Sequence, residues 1–76
     1  MGAQTIPQAF GTVLRESRTK AGITQEELAL RADLDRTYIS LLERGLRQPT
    51  LETLFGLAKV LDVAPATMVG RTSAII

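Results

Sequence analysis

Arg36, Ser40 and Arg44 recur at four-residue intervals, with Thr37 beside the first and Arg47 three residues beyond the last. On a helix this spacing gathers Arg36, Thr37, Ser40 and Arg44 on one face, with Leu41 beside them. Guanidinium and hydroxyl groups in a row are hydrogen-bond donors suited to anionic oxygens and to planar acceptor edges. Other chemistry is scarce. The 76 residues include no His and no Cys, which excludes disulfide staples, thiolate sites and imidazole ligands, so neither a metal nor a cofactor is expected. Glu43 has no His, Cys or second acid at helical spacing with which to share a proton, so an enzyme is not expected.

Five helices must position that face. Pro7 suits the first turn of a helix because its missing N–H is not needed there. Phe10, Val13, Leu14, Ser17, Arg18 and Ala21 then fall on one side, and Gly22 is a stop. Thr24 and Glu27 form a capping box that opens a second helix, with Leu28 and Ala29 inward and an end near Ala32. Asp33 occupies the turn that follows, where a positive φ is tolerated by Asp better than by most residues. Asp35 caps a third helix. Its inner face carries Ile39 and Leu42, with Tyr38 and Glu43 on either edge, and Gly45 ends it. A fourth helix from Thr50 presents Leu51, Leu54, Phe55, Leu57, Ala58 and Leu61, a stripe wider than one core contact needs. A short fifth helix is expected from Pro65 to about Val69, and residues 70–76 read as a tail. The expectation is one all-α domain over residues 1–76, with its core in residues 7–69.

Two short helices joined by a tight turn hold a steep mutual angle that neither could hold alone. A helix–turn–helix needs a small residue at the crossing, an apolar residue after the turn and an inward anchor on the second helix. Ala29, Leu34 and Ile39 meet these needs. The second helix of such a pair fits a DNA major groove, about 12 Å wide. The net charge of +1 is too small to advertise nucleic-acid binding. Its distribution says more. Glu26, Glu27 and Asp33 outweigh Arg31 in residues 25–34, whereas Arg36, Arg44 and Arg47 outweigh Asp35 and Glu43 in residues 35–48.

The stretches "LRESRTKAGITQEELA", "YISLLERGLRQPTLETL" and "LAKVLDV" resemble the Xre/Cro–CI family of helix–turn–helix DNA-binding proteins across roughly residues 10–64. Within it, "LDRTYISLLERGLRQPT" is most similar to the controller proteins of restriction–modification systems. The resemblance implies a compact five-helix, lambda-repressor-like domain and an autoregulatory transcription regulator. Two positions depart from the family pattern: Asp33 stands where the turn usually carries Gly, and Ala64 where the last cap is often Ser.

The same resemblance implies roles for single residues. Arg36 and Thr37, in the first turn of the third helix, become base readers. Ser40 approaches the DNA. Arg44 and Arg47 contact phosphate or the minor groove. Gln25 touches a phosphate at the start of the second helix, or is a plain first-turn polar residue. Tyr38 packs its ring or offers its hydroxyl to a phosphate. Arg18 and Glu43 form a partly buried salt bridge between the first and third helices.

The partners expected are double-stranded DNA carrying two half-sites and a second copy of the chain. Leu51 and Phe55, followed by Val63, Met68 and Val69, would form the homodimer interface, since a large apolar patch usually marks an interaction surface. No small-molecule effector and no membrane are expected. The Met1–Gly2 start is a poor myristoylation site because Thr5 comes one position early. No secretory leader is visible, so a cytoplasmic protein is expected. The rival readings are a small phage-type repressor or antitoxin, and a protein-interaction domain on the same fold.

Overall fold

The computed structural model describes residues 4–76; the Met1–Gly2 start lies outside them. The chain forms α1 (Ile6–Ala21), α2 (Gln25–Ala32), α3 (Arg36–Glu43), α4 (Leu51–Leu61) and α5 (Pro65–Ile75), with no strand among the described residues. Each of the first four helices is started by a polar side chain at its N-cap. Thr5 accepts from the Gln8 N–H while the Gln8 side chain accepts from the Thr5 N–H, and Thr24 and Glu27 repeat the arrangement. Asp35 accepts from the Thr37 N–H at 3.0 Å, and Thr50 from the Thr53 N–H at 3.1 Å. Such caps satisfy N–H groups that have no carbonyl within the helix. Ala64 has no oxygen to offer, and α5 begins without a side-chain cap.

Left-handed residues end α2 and α4: Asp33 and Asp62 both sit at φ 58°. Asp33 thus adopts the conformation expected of it, and the Leu34 N–H reaches back to the Ala29 carbonyl at 2.8 Å to close the turn. After α3 the Gly45 N–H bonds the Leu42 carbonyl and the Leu46 N–H bonds that of Leu41, the paired closure of a helix C-terminus.

One side chain set fills the centre. Phe10, Val13 and Leu14 of α1 meet Leu28 and Ala29, Ile39 and Leu42, Leu54, Leu57, Ala58 and Leu61, and Met68 of α5. The angle between α4 and α5 is 105°. Among the described residues no single helix is long and apolar enough to cross a membrane.

Three expectations need correction. Residues 70–76 are not a tail, because α5 continues to Ile75. Thr72, one turn after Met68, is buried, and its hydroxyl donates to the Met68 carbonyl at 2.8 Å, so the helix gains packing beyond Val69. Met68 does not belong to an outer surface: it is fully buried in the core of its own protomer. Ala21 is exposed, at the last turn of α1 where the core has ended.

Candidate nucleic-acid interface

The α2–α3 pair carries the candidate site. Ile39, Leu42 and Glu43 turn inward, while Arg36, Thr37 and Arg44 are exposed and Ser40 and Leu41 are half-buried at the border. An eight-residue helix is marginal in isolation, so α3 owes its direction to what holds its inner side. Besides the core burial of Ile39 and Leu42, two kinds of contact do so.

One is steric. A Cβ on Gly11 of α1 would lie 2.5 Å from the Leu42 carbonyl oxygen and 2.6 Å from that of Glu43. Only a hydrogen at this position lets α1 lie against the last turn of α3. Gly45, at φ 75°, lies close on the first turn of α1: a Cβ there would meet the Gln8 Cα at 2.9 Å.

The other is electrostatic. The Glu43 side chain is fully buried. Arg18 Nε donates to its Oε2 at 2.6 Å and Arg18 Nη2 to its Oε1 at 3.0 Å, a side-on fork. Gln25 Nε2 donates to Oε1 at 3.0 Å and Arg15 Nε to the same oxygen at 3.4 Å. Arg18 also donates from Nη1 to the Ile23 carbonyl at 3.0 Å, which fastens the α1–α2 loop to the group. Burial pushes the Glu43 carboxyl up, but the hydrogen bonds from Arg18, Gln25 and Arg15 and the Arg18 charge outweigh it, so its pKa is displaced downward. The hydrogen bond to Glu43 in turn raises the Arg18 guanidinium, against the opposing effect of burial. Glu27 is lowered by a different cause, the Thr24 N–H of the capping box.

Arg18, Gln25 and Arg36 line one open groove of about 460 Å³, together with Thr24 and Glu26 at the start of α2. Arg44 and Arg47 stand apart from it after the end of α3; Arg47 is exposed and donates to the Leu46 carbonyl at 2.9 Å. Tyr38 is half-buried and packs against the core. Two contributors had no part in the sequence reading. Arg15 shares a helical face with Arg18 at three-residue spacing, a signal present in the sequence. Gly11 has no such signal, because only the approach of α3 reveals its need. Among the described residues no group of three or more His, Cys, Asp or Glu is placed to hold a metal ion.

The helix-turn-helix family model HTH_3 matches residues 14–67. The chain belongs to this Xre-like helix-turn-helix family. Among similar proteins, the control protein C.BamHI of Bacillus amyloliquefaciens is 40% identical over 65 residues, covering 84% of this helix-turn-helix chain and 80% of the relative. The restriction–modification controller protein C.AhdI of Aeromonas hydrophila superposes with a TM-score of 0.79 at 42% identity, covering 82% of this chain and 94% of that one. The clp gene regulator ClgR of Corynebacterium glutamicum superposes with a TM-score of 0.91 at 27% identity, over 97% and 95% of the two chains.

The apolar residues assigned to a second copy divide. Leu51 is 74% exposed, Phe55 58% and Val69 51%, whereas Val63 is half-buried against the core. Ile6 and Val69 border an apolar notch of about 200 Å³ between the start of α1, the α3–α4 loop and α5.

Proposed function

We infer that this protein is a sequence-specific double-stranded DNA-binding regulator of transcription, of the controller type that governs its own operon. The observation that carries this reading is the exposed donor row of α3, Arg36, Thr37 and Arg44, mounted on a helix whose inner face is fixed by a fully buried carboxylate. The similarity to C.BamHI and C.AhdI, over most of the length of each, supports the controller role. In this reading α3 enters the major groove. Arg36 and Thr37 read base edges, Ser40 and Tyr38 stand at the border of the contact, Gln25 meets a phosphate, and Arg44 and Arg47 bind the backbone beyond. The protein works in the cytoplasm as a homodimer through Leu51, Phe55 and Val69, with Val63 at the margin. Its two copies of α3 then address half-sites about 34–36 Å apart.

The superposition on ClgR, with a TM-score of 0.91 against 0.79 for C.AhdI, favours a second reading, a regulator of an operon without restriction–modification genes. The neighbouring genes separate the two: a methyltransferase or endonuclease fits the controller, a toxin gene does not.

Titration against the DNA upstream of the protein's own gene tests the shared claim. Specific binding should exceed binding to a scrambled duplex, and Arg36→Ala should lower the specific term by about 1–3 kcal/mol while relaxing one base position. Equal affinity of wild type for both duplexes would end the sequence-specific reading. Arg47→Ala should weaken binding to every duplex alike and reduce the salt slope by about 1.

A further inference from the structure

The outer face of α4 carries a charge pattern that is its own complement. At about 100° per residue, Glu52, Phe55, Gly56 and Lys59 fall within about 100° of the helix circumference. The buried residues of α4 occupy the opposite side. Glu52, Phe55 and Lys59 are exposed. A Cβ built on Gly56 would meet nothing within 4 Å, so no other described part of the protomer lies against the middle of this strip. The helix dipole accounts for an acid in the first turn and a base in the last. It does not account for both sharing the side of Phe55. They stand about 10 Å apart along the axis, and among the described residues neither forms an ion pair within the protomer. The midpoint between them falls between Phe55 and Gly56. A two-fold axis through that point, relating two nearly antiparallel α4 helices, sets Glu52 of each copy against Lys59 of the other. The two Phe55 rings then straddle the axis and lie side by side. A parallel pair would set like charges against each other at both ends.

We propose that α4 docks on α4 of a second copy, antiparallel and centred between Phe55 and Gly56, with its register set by reciprocal Glu52–Lys59 pairs. The proposal rests on the homodimer reading above and deepens it. Exposed ion pairs add little affinity, whereas like charges set opposite each other oppose association strongly. The apolar centre, Phe55 with Leu51 on its flank, therefore supplies the attraction. The charges at the two ends reject the parallel arrangement and slipped registers.

Charge reversal tests the register. Glu52→Lys leaves each copy with bases at both ends of the strip, and Lys59→Glu leaves acids at both. Each variant alone should dimerise at least about tenfold more weakly than wild type when sedimented at low salt, where charges are least screened. An equimolar mixture of the two should associate within about threefold of wild type, since every base again faces an acid. In the wild type, a carbodiimide should join the Glu52 carboxyl to the Lys59 amine. In a mixture of 14N- and 15N-labelled chains, the joined peptides should include pairs of mixed label. Single variants that associate like wild type overturn the register. So does a mixture no tighter than its components, or a link found only within one chain. The cross-link needs no variant, so a misfolded substitution does not rescue the idea. If the wild type sediments as a monomer at micromolar concentration, the homodimer reading falls, and this one with it. A wild-type dimer with indifferent variants leaves that reading standing and removes this register alone.

Discussion

The exposed arginine row belongs to α3, whose inner side buries a carboxylate with three donor side chains beside Ile39 and Leu42; exposed Leu51 and Phe55 belong to α4, whose buried residues, Leu54, Leu57, Ala58 and Leu61, are all hydrocarbon. The difference matters because hydrogen bonds have direction and apolar burial does not. Bonds from Arg18 and Gln25 converge on Glu43 and orient α3 about its axis as well as in position. The stripe of Leu54, Leu57, Ala58 and Leu61 fixes α4 by area and leaves Leu51 and Phe55 free to repack. On the proposed reading, the face of α3 registers against base edges and needs the first kind of support, whereas the face of α4 covers itself with a second copy and is served by the second.

The sharpest way to break the contrast is Arg18→Ala. It strands Glu43 without its fork, and global stability should fall by about 3–5 kcal/mol in urea unfolding. A double-mutant cycle with Glu43→Ala should return strong coupling; additive losses would mean that the pair is not a unit. Gly11→Ala attacks the steric half of the same support. A Cβ placed 2.5 Å from a backbone carbonyl cannot be accommodated by a rotamer change, so α1 must move, at about 1–3 kcal/mol or more.

Acid sharpens the contrast by touching one side only. The depressed folded pKa of Glu43 means that its contribution is fully present above the ordinary carboxyl value of 4.5 and is lost as pH falls through the lower, folded value. Stability followed from neutral pH down to pH about 2 should therefore fall less steeply for a Glu43→Gln variant than for wild type. The apolar face has a matching test. Phe55→Ala should cost the protomer less than about 1 kcal/mol because the ring is 58% exposed, yet sedimentation should show the dimer weakened. Unchanged association would leave the patch without its proposed occupant. Gly56→Ala is the smallest effect. Nothing lies within 4 Å of a Cβ at this helical position, so the protomer should gain about 0.5–1 kcal/mol. A loss of association in its place would show a second backbone approaching there.

Local rules carried much of the reading from sequence. The capping box of Thr24 and Glu27, the positive φ of Asp33 and the cap at Asp35 depend on neighbours within a few residues and were legible. The same rule missed Thr5 with Gln8, because Pro7 offered a plausible start of its own. The reach of α5 was hidden by Gly70, Thr72 and Ser73, poor helix formers whose helical state rests on burial of Met68 and Thr72. Met68 was misassigned because an apolar residue near a chain end looks the same whether it faces core or partner. At the site, the face of α3 followed from its period. The bond from Gln25 to Glu43 spans eighteen residues, and no spacing rule reports a contact between separate helices.

The tight seams at Gly11 and Gly45 both grip the last turn of α3 and its exit, while its first turn is held at the other end by the closed α2–α3 turn and the Asp35 cap. Arg36 and Thr37 lie in that first turn with exposed side chains that neither seam involves. On the proposed reading of these two residues, mutational drift there can rewrite which bases are preferred while the mounting stays intact. Gly11, Gly45 and Glu43 have no such latitude. Descendants of this protein should diverge first in the DNA sequence they select and last in the angle at which they present it.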